Sequence, residues 1–249
     1  MMLKTEGIVL KEMRYKDTSK ILSIYTKKHG KITAMARGAY RPKSQIIANT
    51  QPFSYNEYQL YKGKNFYYIN QADIIDSFYS IREKIERVVY GQYMLELIEK
   101  SMEEGQENPK IFMLLLKGLK LLSGMDKDFL KFITAYELKF ISFLGYRPLL
   151  DRCVLCGNKN VKNIRYSPKE GGIICYNCSS YDSSSIYLDD NLYRGINELL
   201  YIPLDRIHKV KLPDETIKKI HYIIVQHILY NIDRNKLNTL NFIKALEST

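Results

Sequence analysis

All four cysteines of the chain fall in one pattern: Cys153-Val154-Leu155-Cys156, then eighteen intervening residues, then Cys175-Tyr176-Asn177-Cys178. A Cys-x2-Cys pair lets two thiolates reach one cation from a tight turn. Two such pairs complete a closed tetrahedral four-sulfur site, the coordination that suits zinc. A closed site leaves no open position for a substrate, so the expected role is structural, with one zinc ion contributing on the order of 10 kcal/mol of apparent folding energy. Two disulfides, or four unrelated thiols, are the competing readings. The first needs an oxidising compartment, and Met1-Met2-Leu3-Lys4 leads into a strand pattern with no secretory h-region. Gly157-Asn158 can turn the backbone around an ion, and residues 163–174, with Gly171-Gly172, read as a small hairpin between the pairs.

The second chemistry-bearing group is cationic. The chain of 249 residues has a net charge of +11, which points to nucleic acid or another anionic partner. Residues 1–80 hold most of it, with 13 Lys+Arg against 6 Asp+Glu, a net of +7. The cations gather in three connections between strand-like runs. Lys11, Arg14, Tyr15 and Lys16 lie between the first and second runs, and Lys62 and Lys64 beside Tyr61 between the fourth and fifth. Arg37-Gly38-Ala39-Tyr40-Arg41-Pro42-Lys43-Ser44 leaves the third. Cations track phosphates, and an aromatic between them offers a stacking surface that reads no particular base. The expected DNA-binding residues are therefore Lys11, Arg14, Lys16, Arg37, Tyr40, Arg41, Lys43, Lys62 and Lys64. The plainer alternative is a set of solvated charged loops.

The elements that position these groups follow from periodicity. Runs at 5–10, 20–26, 31–37, 53–61 and 66–75 carry branched and aromatic residues, with turns at His29-Gly30 and at 62–65. Five short strands in about eighty residues suggest a closed OB-fold barrel, whose strand 2–3 face and adjoining loops hold oligonucleotides in such folds. From Ile81 the spacing becomes helical. Stripes run to Met102, from Asn108-Pro109 to Gly124, from Asp126 to Gly145, around 191–201, beyond Pro213, and at Leu240, Ile243 and Leu246. The expected class is α+β: a five-stranded OB-fold domain over 1–80, then a helical domain over 81–249 into which the zinc segment 150–181 is inserted. Ser179 to Ser185 reads as a flexible polar link.

Several chemistries find no motif. G-x-x-x-x-G-K-[ST], G-x-G-x-x-G and G-x-S-x-G are all absent. His29, His208, His221 and His227 are not at ligand spacing, and Glu103-Glu104 and Asp189-Asp190 sit where helix ends are expected. No catalytic site is expected. The longest apolar run, 111–116, is too short for a bilayer, so a soluble, cytoplasmic protein is expected, nucleoid-associated through the expected DNA binding.

Three stretches together resemble the RecO family of bacterial recombination mediators. They are Thr5-Glu6-Gly7-Ile8-Val9-Leu10 with Asp17 to Leu22, Lys28-His29-Gly30-Lys31 through Arg41, and Phe143-Leu144-Gly145-Tyr146-Arg147-Pro148 leading into Asp151 to Gly157. The resemblance implies a non-catalytic role in recombinational DNA repair. It implies binding of single- and double-stranded DNA, annealing of complementary strands, and help in loading the RecA recombinase onto DNA coated with single-strand-binding protein. The implied partners are RecR and the acidic tail of that coating protein. Carried onto this chain, Cys153, Cys156, Cys175 and Cys178 become the metal ligands, and Arg37, Arg41 and Lys43 become DNA contacts. Two other readings share these features: an adaptor for acidic protein segments, and an RNA-binding zinc protein.

Overall fold

A computed structural model describes residues 2–44, 46–233 and 236–247. They group into two compact units, 1–124 with 237–249, and 125–236.

The first unit is built on β1 (Met2–Tyr15), β2 (Ser19–Thr26), β3 (Gly30–Ala36), β4 (Tyr55–Lys62) and β5 (Tyr67–Asp76). They close into a barrel in the order β1-β2-β3-β5-β4, the OB-fold arrangement expected. The one parallel pairing, β3 with β5, joins Ala34 to Tyr67 and Met35 to Tyr68. Closure depends on β1 serving two neighbours. Met2–Ile8 pairs with β4, and Gly7–Tyr15 pairs with β2. The register shifts between Val9 and Lys11, so Leu10 is an extra residue that bends the strand around the barrel. Strand alternation then sends Val9, Leu22, Ile24, Ile32, Ala34, Ala36, Tyr58 and Leu60 inward, with small alanines on β3 where the wall needs little volume. Polar groups that enter are satisfied: Asn49 Nδ2 donates to Asn56 Oδ1 at 3.0 Å, and Asn56 Nδ2 to the Tyr58 hydroxyl at 2.8 Å.

Three helices complete this unit: α1 (Ile85–Ser101), α2 (Pro109–Ser123) and, from the far end of the chain, α6 (Leu240–Leu246). The α2 start is the one expected, with Asn108 accepting from Ile111 N at 3.2 Å and Pro109 at the first helical position. The C-terminal segment is held by Glu96 on α1, which accepts from the Asn238 and Thr239 backbone N–H groups at 2.9 Å each.

The second unit packs α3 (Phe129–Phe143), α4 (Asp190–Tyr201) and α5 (Asp214–Asn231), and carries the cysteine module with its sheet β7-β6-β8. Those strands are β6 (Arg165–Ser167), β7 (Gly172–Ile174) and β8 (Ile186–Tyr187). Asp189 caps α4 by accepting from Leu192 N at 2.8 Å, as a carboxylate at a helix start should. Ser179–Ser185 is not the flexible link its composition suggests. Residues Tyr176–Tyr181 form a 3-10 helix, and the buried Asp182 gathers the Ser167 and Ser184 hydroxyls on its carboxylate. Ser185 Oγ donates to the Asp182 carbonyl at 2.7 Å and Ser179 Oγ to the Tyr176 carbonyl at 2.7 Å, so local hydrogen bonds fix the segment.

Candidate metal centre and cationic surface

The four cysteine sulfurs lie within 4.8 Å of one another. A tetrahedron with metal–sulfur bonds of about 2.3 Å has edges of about 3.8 Å, and Cys156 Sγ stands 3.8 Å from Cys175 Sγ. A disulfide would need about 2.05 Å, so the spacing is that of a four-thiolate metal site. Cys153, Cys175 and Cys178 are buried and Cys156 is exposed. Each pair sits in a tight turn. Gly157 N donates to Cys153 O at 2.9 Å and Cys153 N to Asn158 O at 2.8 Å, while Cys178 N donates to Cys175 O at 3.0 Å. Gly157 takes φ +72°, the left-handed turn its position demands. Burial pushes the Cys153 thiol up, but backbone N–H groups of Cys156, Cys175 and Leu155 outweigh it and bring it down to about 6. Burial and the neighbouring sulfurs push Cys178 up to about 12. Four thiolates this close coexist only around a cation.

The knuckles are tied to their hairpin by backbone pairing, Val154 N to Ile173 O at 2.9 Å and Ile173 N to Leu149 O at 2.9 Å. Gly172 permits this, because a Cβ there would stand 2.3 Å from Leu149 O. The hairpin is pinned to α5 by His227, which is 1% exposed. Its Nε2 lies 2.8 Å from the Tyr146 carbonyl and must donate, so Nδ1 accepts from the Tyr166 hydroxyl at 3.1 Å. Burial, partly offset by the Tyr146 carbonyl, holds this imidazole below the usual histidine range.

All nine residues expected to contact DNA are exposed. Their setting differs from three loops. Lys11 and Arg14 lie on β1 itself, opposite Ser23 and Lys20, and only Lys16 is in the turn. The ladders nonetheless bring most of them to one end of the barrel. Arg14 faces Lys20, Lys20 faces Ala36, Ala34 faces Tyr67, and Tyr67 faces Lys62. Arg14, Lys16, Arg37, Tyr40, Arg41 and Lys43 therefore gather where the ends of β1 and β3 meet the start of β2, and the β4–β5 turn with Lys62 and Lys64 adjoins them, Lys62 standing in the row of Glu12 beside Lys11.

Two tyrosines organise the cations. Tyr40 N donates to Thr18 O at 3.0 Å, folding the loop after β3 back onto the β1–β2 turn. The Tyr40 ring then carries the Arg14 guanidinium at 5.6 Å and the Lys20 ammonium at 4.9 Å. Lys20, 3% exposed and paired with Glu12, is the cation that sequence reading passed over. Arg37 lies 4.4 Å over the Tyr68 ring, joining the exit of β3 to the start of β5. A guanidinium held by its face keeps its N–H edges available to phosphate.

The outward face of β2 and β3 is a different environment. Ser23 Oγ donates to the Glu99 carboxylate at 2.5 Å, Lys31 Nζ to Glu99 O at 2.7 Å, and Thr33 Oγ1 to the Glu104 carboxylate at 2.5 Å. Tyr25 packs on Phe112 of α2 with ring centroids 6.1 Å apart. Glu104 thus bonds to β3 rather than serving a helix end, contrary to the sequence expectation.

Among the described residues, no helix is long and apolar enough to cross a membrane. Two family descriptions match the chain, Recombination protein O N terminal over residues 1–78 and Recombination protein O C terminal over 82–241. A protein of Alkaliphilus metalliredigens named DNA repair protein RecO is 38% identical over 246 residues, 99% of this chain and 100% of its own. Proteins of the same name from Bacillus pumilus and Acetivibrio thermocellus are 35% and 30% identical, over 100% and 98% of this chain and 96% and 97% of theirs.

Proposed function

The chain belongs to the RecO family of DNA repair proteins, and from that premise we propose that it is a non-catalytic recombination mediator. It binds single- and double-stranded DNA, anneals complementary strands, and helps load the RecA recombinase onto DNA coated with single-strand-binding protein. Its protein partners are RecR and the acidic tail of the coating protein. Residues 1–80 are the DNA-binding domain, and residues 81–249 the helical domain that carries the metal segment 150–181.

The observation that carries the reading is the cationic barrel end, where Tyr40 and Tyr68 hold Arg14 and Arg37 in place beside Lys16, Arg41, Lys43, Lys62 and Lys64. Contacts of this kind go to phosphates and position a strand without reading its sequence. Annealing requires that property: backbone repulsion must be neutralised while base edges stay available to the complementary strand. The metal is zinc, held by Cys153, Cys156, Cys175 and Cys178; when bound it supplies no reaction chemistry but fixes the turns and hairpin to one another.

The test is annealing of two complementary strands coated with single-strand-binding protein, with and without this chain, across a salt series. Acceleration that fades as salt rises supports the proposal. Intact DNA binding without acceleration refutes the mediator role and leaves an adaptor for acidic segments. A preference for RNA over DNA of the same sequence refutes it in favour of an RNA-binding role.

A further inference from the structure

Between α1 and α2 the chain reads Met102-Glu103-Glu104-Gly105-Gln106-Glu107, with three glutamates and no lysine or arginine. This segment is laid along the barrel. Met102 is 3% exposed and anchors it. Glu104 pairs with Lys31 in parallel, and Gly105 N donates to Lys31 O at 2.9 Å. A Cβ on Gly30 would stand 2.2 Å from Gln106 O, so the backbones touch there. The contact falls on the first half of β3, below the point where Ala34 and Met35 pair with β5. The segment takes up the edge of β3 that β5 leaves, and through Glu104 on Thr33 its charge reaches the face where an OB barrel ordinarily receives a strand.

A cleft of about 230 Å³ lies between this segment and the β4–β5 turn. Lys62, Lys64 and Tyr67 line one side of it, and Glu104 and Gly105 the other. A phosphodiester strand crossing from the cationic end onto the β2–β3 face would pass between those lysines and meet the Glu104 carboxylate, held by Thr33. Glu103 and Glu107, both exposed, extend the negative charge along the same edge.

We infer that residues 102–107 close the β3 edge of the sheet face to nucleic acid, and that Glu104 acts as a positioning residue confining DNA to the loop end of the barrel. The inference rests on the proposed DNA binding by that end. It accounts for a surface with cations on the loops and carboxylates beside the sheet: the strand is held at its phosphates over a short contact and is not drawn across the barrel.

The experiment compares the full chain with Glu103→Gln, Glu104→Gln, Glu107→Gln. Glutamine keeps an oxygen to accept from Thr33, so the segment stays seated. A charge-matched control carries Glu198→Gln, Asp214→Asn, Glu215→Gln on the other unit. Binding to fluorescent oligothymidylate is followed by anisotropy between 50 and 400 mM salt. The expected result for the segment variant is affinity on the order of tenfold tighter than the control at low salt. Its salt slope should be steeper by about 0.7 for each further phosphate contact that loss of the carboxylates admits. Equal gains in variant and control overturn the inference while leaving the DNA-binding reading intact. Absence of binding by wild type and both variants overturns both.

Discussion

Replacing Arg37, Arg41 and Lys43 together by alanine gives the most direct measure of the cationic barrel end. Seven exposed cations line the barrel from that end to the β4–β5 turn: Arg14, Lys16, Arg37, Arg41, Lys43, Lys62 and Lys64. If each neutralises one phosphate of a single strand, log affinity falls against log salt with a slope near −5, at about 0.7 per contact. Between 50 and 200 mM salt the wild-type chain should lose about a thousandfold in affinity. The triple variant retains four of those cations, so its slope should be near −3 and its loss over the same range about fiftyfold. The three side chains are exposed, so the barrel should fold unchanged, which circular dichroism checks. The assay is fluorescence anisotropy with labelled oligothymidylate at stepwise salt. Parallel lines for wild type and variant would refute the reasoning, whatever the drop in affinity at one salt, because they would mean that none of the three meets a phosphate.

Two further outcomes follow from the second unit. Metal analysis of the purified chain should find one zinc per chain, and chelation should abolish hydrogen-exchange protection across residues 149–188; protection that survives chelation would show that the four cysteines do not depend on an ion. The second concerns acid sensitivity. His227 is held below the ordinary histidine value by burial, and protonation would cost it the hydrogen bond it accepts from Tyr166. The unfolded chain therefore binds the proton first, so this histidine's contribution is whole above about pH 6.5 and is lost as pH falls towards its folded value, at no more than about 1.4 kcal/mol per pH unit. His227→Gln should be less stable at pH 7.5 yet show a shallower decline between pH 6.5 and 5; a decline as steep as wild type's would remove His227 from the account.

Much of this architecture was legible because it is local. The five strand runs, the helical stripes, the Asn108-Pro109 start and the Cys-x2-Cys pairs each declare themselves within a few residues. What escaped depends on distant partners. Residues 11–15 of β1 are exposed or half-buried throughout, so they show no buried face to read. They are a strand because β2 pairs with them. Residues 179–185 have the composition of a linker, and nothing nearby reveals that Ser167, 15 residues before Asp182, will bond the Asp182 carboxylate and hold the segment in place. The return of the C-terminal segment to α1 turns on Glu96, 142 residues before Asn238. Glu104 looked like a helix-end carboxylate because its partner, Thr33, is 71 residues away. At the candidate site, residue types were readable and their clustering was not: spacing placed cations between strands, but only the barrel register shows which of them become neighbours.

The tyrosine content has a physical division of labour. The chain has 21 tyrosines and no tryptophan. Tyr25, Tyr58, Tyr90, Tyr93, Tyr136 and Tyr166 are among the largest fully buried side chains, and these pack. Tyr40 and Tyr68 hold cations at the surface instead. A long cationic side chain gives up about 2 kcal/mol of rotamer entropy when fixed. An arginine already resting on a ring has lost part of that freedom before DNA arrives. Its contact with phosphate then costs less to form, and tightness comes without a base-reading hydrogen bond. For the proposed function this matters more than raw affinity. A mediator must hold a strand firmly enough to neutralise it and release it once the complement has zipped, and pre-oriented phosphate contacts meet both demands because duplex formation takes no contact away from the bases.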